Sequence, residues 1–382
     1  MVSIVFIQFG NYLEAFTNFE LGVPEKYYAQ KHSVEYVSKL TQIFNQVTVV
    51  CLSSEYEYQL LANGVGVIGL DINNLKSSNL TDTIKSFSPS HIVCRTPNIA
   101  VLRYALKNEI KLLPILADSF PKSNLKQWVK RRFLASILND PKIKFVGNHS
   151  INASKSLVEI GVDVKKVIPW DWPHHITPEM FNPKQRCSND PQLFYAGQIS
   201  KLKGVYDLVD AVAMLNKITP VKLKIAGNDK EQKLAEYIRI RKLEESIELL
   251  GLVPQNSVVN YMVEADMVVI PSRHEYPEGL PMTFYEGLLS RTPVIISNHK
   301  MLINKIDNRK SGLIFEASNP DSLAKVCLQL ISDPILYSTI SYNSSKAWHA
   351  LKIKVEWSEL VDHFIEEDLT KNDIGKISIQ SY

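Results

Sequence analysis

The feature that most limits what this chain can fold into is a rhythm. Short runs of β-branched and apolar residues alternate with longer stretches of helical period, and midway the alternation starts again. Parallel strands need long crossover connections, so this rhythm predicts parallel sheets with helices between the strands. In the first half, strands are expected near Ile4–Ile7, Val47–Cys51, His91–Cys94, Leu112–Leu116 and Phe145–Val146. The clearest helical stretch is Glu25–Phe44, opened by Pro24. A short strand, Lys166–Ile168, leads into Pro169-Trp170-Asp171-Trp172-Pro173. Residues 173–191 then carry four prolines (Pro173, Pro178, Pro183, Pro191) and no period, and read as a linker.

The rhythm resumes at Leu193-Phe194-Tyr195-Ala196-Gly197. Val205, Leu208, Val209 and Val212 form the apolar stripe of a helix. Further strands are expected at Leu223–Ala226, Ile247–Leu250, Met267–Ile270, Val294–Ile296 and Leu313–Phe315. A last helix, around Glu356–Glu367, puts Trp357, Leu360, Val361 and Phe364 on one face. A length of 382 residues suits two domains. The expected division is 1–172, linker, 192–350, and a C-terminal helix and tail over 351–382 that can pack back on the first domain. The fold class is α/β: two Rossmann-like, doubly wound domains facing across a cleft.

Several function classes fall away on composition. A net charge of +3 is too small for a general nucleic-acid binder, and no nucleic-acid motif is present. The four cysteines lie far apart without metal spacing, as ordinary thiols of a reducing compartment do. The N-terminus reads as a strand rather than an export leader, and no apolar run nears the ~20 residues needed to span a bilayer. A cytoplasmic protein is expected. No Gly-x-Gly-x-x-Gly follows either first strand, which disfavours a dinucleotide dehydrogenase. No Asp-x-Asp pair is present to hold a divalent ion on a diphosphate, so no metal and no resident cofactor are expected.

Glu278 and Glu286 sit in Glu-Gly-Leu-Pro-Met-Thr-Phe-Tyr-Glu, directly after an apolar strand. Open α/β sheets bind ligands where a strand gives way to a loop and a helix. Glu278 falls in the loop, Glu286 about one turn into the helix. The amides of Gly279 and Leu280 lie near the helix start, where free N–H groups and the helix dipole favour an anion. Lys203 sits where another strand meets a helix, so its ammonium can neutralise a diphosphate. Gly197 and Gly204 remove side chains where backbone must approach phosphate.

These residues resemble the nucleotide-sugar-binding half of a family 4 GT-B fold glycosyltransferase. Four anchors occur in order: Tyr195-Ala196-Gly197-Gln198-Ile199-Ser200-Lys201-Leu202-Lys203-Gly204; Leu223-Lys224-Ile225-Ala226-Gly227; Leu250-Gly251 with Ala265-Asp266-Met267-Val268-Val269-Ile270-Pro271-Ser272; and Glu278 to Glu286 followed by Arg291-Thr292-Pro293-Val294. The resemblance is strong from about Leu193 to Phe315 and weaker elsewhere. It implies that Glu286 binds the ribose hydroxyls and Glu278 the donor sugar, and that transfer retains anomeric configuration. The partners would be a nucleotide-sugar and a glycan or lipid-linked acceptor. One departure is Gln198, where many members have an arginine on the diphosphate; Lys201 or Arg273 is then the source of a second charge. A GT-B sugar-nucleotide epimerase, a phosphorylase and a catalytically degenerate partner subunit are the alternatives.

In that architecture the first domain holds the acceptor. Gly22 fits the first of two glycines found near the donor phosphates in the family, and Val23 departs from the second; the plain reading of Gly22 is a helix-entrance turn. Asp118, after Leu113-Pro114-Ile115-Leu116-Ala117, is expected at the end of a strand near the transferred sugar, or as a turn cap before Pro121. Arg95 and His149 end strands too, as site residues or as partners of neighbours. His174 and His175 are expected in solvent, and His274 and Glu275 on the surface or against the donor sugar. Lys122, Lys126, Lys130, Arg131 and Arg132 interleave with Leu125, Trp128, Val129 and Phe133. That pattern suits peripheral contact of an amphipathic helix over residues 122–133 with the inner face of a membrane, or a helix whose apolar side meets the core.

Overall fold

The computed structural model describes residues 2–25, 28–71, 77–120, 124–229, 232–278 and 280–382. They form two compact units. Of the described residues, one draws on those within 2–25, 29–173 and 353–382, the other on 28 and those within 174–352.

The first unit is built on an eight-stranded sheet: β1 (Ser3–Gln8), β2 (Gln46–Cys51), β3 (Tyr56–Leu60), β4 (Val65–Gly69), β5 (His91–Cys94), β6 (Lys111–Leu116), β7 (Val146–His149) and β8 (Val167–Trp170), in the order β3-β4-β2-β1-β5-β6-β7-β8. All pairs are parallel except β3 with β4. Every residue of β1 is buried, which explains why its centre, Ile4–Ile7, is continuously apolar rather than alternating. The β3–β4 hairpin is absent from the sequence reading because β3 is an exposed edge strand and β4 is glycine-rich. Those glycines are required by packing. A Cβ on Gly66 or Gly69 would lie 2.5 Å from Tyr58 Oη or 2.4 Å from Tyr56 Cδ1, because the edge-strand rings lie across them.

Three local expectations change here. The long helix expected over Glu25–Phe44 is shorter, Gln30–Lys39, closed by a 3₁₀ turn at Leu40–Gln42. An additional helix, Tyr12–Glu20, precedes it, capped by the Asn11 side chain on Glu14 N–H. Gly22 follows that helix at φ +71, and the neighbouring N–H groups reach back to its last carbonyls, so Gly22 closes a helix rather than opening one.

The C-terminal segment belongs to this unit. Trp357, Leu360 and Val361 are fully buried with Phe6, Ile168 and Trp170. Asp171 N–H donates to Val355 O (3.0 Å) and Trp357 N–H to Asp171 O (2.9 Å), stitching the segment to the end of β8. Gly147 permits the approach: a Cβ there would meet Leu360 Cδ2 at 2.6 Å. In the helix Leu125–Leu138, Leu134, Ala135, Ile137 and Leu138 face the core. Leu125, Trp128, Val129 and Phe133 do not; they are exposed, against the reading that the whole apolar side meets the core. Pro121 and Lys122 lie outside the described residues.

The second unit holds a six-stranded, all-parallel sheet: β9 (Gln192–Ala196), β10 (Lys222–Ala226), β11 (Ile247–Gly251), β12 (Met267–Ile270), β13 (Val294–Ser297) and β14 (Leu313–Phe315), ordered β11-β10-β9-β12-β13-β14. The chain reverses direction across the sheet between β9 and β12, so the crevice beyond their C-terminal ends is the expected ligand position. Residues 174–191, expected as linker, are part of this unit's body. Cys187 is buried in its core, and the Asp266 carboxylate accepts from Ser188 N–H (2.8 Å), Ser188 Oγ (2.7 Å) and Gln192 N–H (2.8 Å). His174, expected in solvent, is half-buried and stacked on Tyr285 at 4.8 Å, with Tyr28 Oη 2.9 Å from its Nδ1. His175 is exposed.

Candidate functional site

Beyond β9 and β12 the second unit opens a cavity of about 1270 Å³, larger than the ~300–1,000 Å³ usual for small-molecule sites. Glu278, Glu286, Lys203, Gln198 and Gly197 all line it.

One wall is the turn that follows β9. Tyr195 Oη donates to Gln198 O (2.7 Å), and Gly204 N–H donates to Lys201 O (3.0 Å), closing a compact loop before the helix Val205–Leu215. Gly204 lies at φ +73, and a Cβ there would sit 1.9 Å from Pro271 O. No other residue type fits there without moving the backbone that follows β12. This packing brings Lys203, at the helix start, against Glu278 in the loop after β12.

The two side chains meet directly. Lys203 Nζ lies 2.6 Å from Glu278 Oε1, and the same oxygen accepts from Ser272 Oγ at 2.7 Å. Both donors converge on Oε1 and leave the orientation of the carboxylate defined. Ser272 is itself fixed, because Ser297 Oγ donates to its carbonyl at 2.6 Å. Lys203 Nζ also stands 4.4 Å from the centre of the Tyr276 ring, whose hydroxyl reaches Gln198 Oε1 at 3.3 Å. Gln198 thus ties two loops together where an arginine was looked for.

Of the two residues considered as a second cation, Arg273 is committed. Its Nε and Nη2 clasp the Asp207 carboxylate at 2.8 and 2.5 Å, and this pairing raises the guanidinium pKa further. Lys201 lines the cavity and is exposed.

Glu286 lies in the helix Met282–Leu289, which Pro281 directly precedes without a side-chain cap. It is 3% exposed and accepts a short hydrogen bond from Gln255 Nε2. Burial pushes its pKa up from 4.5 to about 8, and the Gln255 bond opposes that only in part. Leu280 is buried in the apolar layer beneath the loop; Gly279 lies outside the described residues.

Three neighbours were not singled out from the sequence. Ser272 and Gln255 each follow a strand of this sheet at its C-terminal end, which is the signal that would have found them; Tyr276 sits within the loop itself. His274 and Glu275 are exposed, with His274 stacked on His299 at 6.0 Å.

The first-unit candidates are placed on their own sheet. Asp118 is exposed beyond β6, and its carbonyl accepts from Asn148 Nδ2 at 2.9 Å. His149 is buried, its Nε2 3.1 Å from Asp171 Oδ1. Arg95 donates to Gln8 Oε1 at 2.9 Å, and its guanidinium lies 5.1 Å from the Trp357 ring centre. His149 and Arg95 therefore have structural partners. Among the described residues no group of three or more His, Cys, Asp or Glu is arranged to hold a metal ion, and no helix is long and apolar enough to cross a membrane.

Residues 177–347 match the family model described as glycosyl transferases group 1. An uncharacterized glycosyltransferase of Methanocaldococcus jannaschii is 29% identical over 167 residues, 44% of this chain and 44% of that one. The amylovoran biosynthesis glycosyltransferase AmsK of Erwinia amylovora is 28% identical over 162 residues, 41% of this chain and 40% of that one. The chain thus spans less than half the length of these two relatives. A putative glycosyltransferase of Bacillus subtilis, YtcC, is 22% identical over 283 residues, 70% of this chain and 69% of that one. Among solved structures, sucrose-phosphate synthase from Thermosynechococcus elongatus superposes with a TM-score of 0.67 at 14% identity, covering 96% of this chain and 98% of that one. Anabaena HepE, solved in complex with UDP and glucose, gives 0.64 at 14% identity over 97% and 100%. These structures share the GT-B fold with this chain.

Proposed function

We propose that the protein, whose residues 177–347 match the model of the group 1 glycosyl transferases, is a retaining glycosyltransferase that moves a sugar from a nucleotide-sugar to a glycan or lipid-linked acceptor without a metal ion. The observation that carries this reading is the convergence of Lys203 and Ser272 on one oxygen of Glu278, in a cavity that Glu286 also lines. The donor diphosphate lies against Lys203 and the N-terminal amides of the helix Met282–Leu289, where a helix dipole favours an anion. Glu278 accepts hydroxyls of the donor sugar. Glu286 meets the ribose. Solved relatives of the same fold include Anabaena HepE in complex with UDP-glucose, which supports a nucleotide-sugar as donor.

In the reaction, the bond from the anomeric carbon to the leaving phosphate breaks as the acceptor oxygen bonds to the same face of that carbon. The acceptor proton passes to the departing diphosphate. The protein's part is to position both substrates and to stabilise the growing negative charge, chiefly through Lys203. No enzyme nucleophile is required. On the resemblance alone, Gly22 is assigned near the donor phosphates and Asp118 near the transferred sugar.

A thermal-shift screen with UDP, GDP, ADP and TDP identifies the base, since the bound nucleotide raises the melting temperature by mass action. Glu286→Ala is expected to shrink that rise, Lys203→Ala to abolish transfer, and EDTA to leave transfer unchanged. Unaltered transfer in both variants would refute the site. Nucleotide binding without transfer to any acceptor would favour a degenerate partner subunit, for which the Gln198 position is the sequence argument.

A further inference from the structure

The helix Leu125–Leu138 has two apolar faces, and only one is used by the fold. Leu134, Ala135, Ile137 and Leu138 are buried in the first unit. On the opposite side Leu125, Trp128, Val129 and Phe133 recur at helical spacing and are 77%, 55%, 54% and 45% exposed. A helix that merely closes a sheet would present polar residues outward. Four large apolar side chains in one outward stripe call for an apolar neighbour.

The charge around the stripe says what kind. Lys126, Lys130, Arg131 and Arg132 lie on the same helix, and no Asp or Glu occurs between Asn124 and Asn139. Arg103, from the adjacent helix Ile99–Lys107, extends the basic rim, its guanidinium 6.0 Å from the Phe133 ring centre. Arg132 lies 5.9 Å from the Trp128 ring centre. An apolar ridge flanked by cations, with an aromatic ring between them, complements a surface that is anionic outside and hydrocarbon beneath.

We propose that this face docks the protein onto an anionic phospholipid bilayer, with Trp128 and Val129 entering the headgroup boundary and Lys126, Lys130 and Arg132 on the phosphates. Binding is peripheral and salt-sensitive. It stands apart from the transfer reaction, because its test needs no sugar substrate, and it can fail while the cavity assignment holds.

The test is co-sedimentation of the full chain with vesicles of phosphatidylcholine alone or mixed with phosphatidylglycerol. The expected result is binding to the mixed vesicles only, weakened by added salt. Lys126→Gln with Lys130→Gln should weaken it about 25-fold, at roughly fivefold per charge. Trp128→Ser should weaken it about tenfold. All three side chains are exposed, so the melting temperature should hold in each variant, which separates docking from folding. The proposal is overturned by equal binding to both vesicle types or by variants that bind like the parent. It is also overturned by retention on an acidic polypeptide with no vesicle binding.

Discussion

Glu286→Gln gives the sharpest test of the site's electrostatics. Burial raises the Glu286 carboxyl from 4.5 to about 8 in the folded protein. The folded state therefore keeps this proton while the unfolded chain loses it near 4.5. Stability from this group is fully present below 4.5, falls as pH rises, and is lost by about 8. Each pH unit in that interval costs about 1.4 kcal/mol, so near pH 7 the cost has reached about 3 kcal/mol. Glutamine keeps the shape and the oxygen that accepts from Gln255 but cannot ionise. The variant should match the parent at about pH 5 and exceed its stability progressively toward pH 8, by about 3 kcal/mol at neutrality. Urea unfolding of ligand-free protein across that range, followed through the transition of the second unit, measures the difference. A gap between variant and parent that stays flat with pH would show that Glu286 is already ionised in the fold, and the argument from burial would fail.

On the proposed reading of the site, the same proton also governs nucleotide binding. Ribose hydroxyls donate to a carboxylate better than to a carboxylic acid, so nucleotide affinity should rise as pH climbs toward about 8 and then level off; calorimetric titration across that range checks it, and in Glu286→Gln the slope should vanish. Gly204→Ala should cost about 1 kcal/mol for its left-handed backbone and about 1–3 more for the collision of its Cβ with Pro271 O, read as a drop in melting temperature and in nucleotide binding together.

Much of the architecture was written in local pattern. Continuous apolar runs such as Ile4–Ile7 and Met267–Ile270 announce strands buried on both faces, and their alternation with helical stretches permits little other than parallel sheets. The cavity acids and Lys203 were legible for a related reason: loops after parallel strands converge on one edge of the sheet, so position along the chain foretells position in space.

What local pattern could not report were choices made by distant partners. Residues 174–191 look irregular because their anchors lie far along the chain: Ser188 N–H donates to Asp266 and Lys184 N–H to Ser341 Oγ. The β3–β4 hairpin is polar outside and glycine-rich inside because Tyr56 and Tyr58 supply the bulk that the glycines lack. His149 and Arg95 look like site residues until Asp171 and Gln8 claim them. Residue type and period determined most of the strands and helices and the placing of Glu278, Glu286 and Lys203 after parallel strands. Only the folded chain decided which carboxylate oxygen Lys203 meets, that Gln255 serves Glu286, and which side of the helix Leu125–Leu138 is left bare. The reason is physical: periodicity records which residues leave water, while the partner each finds there depends on packing between segments far apart in the chain.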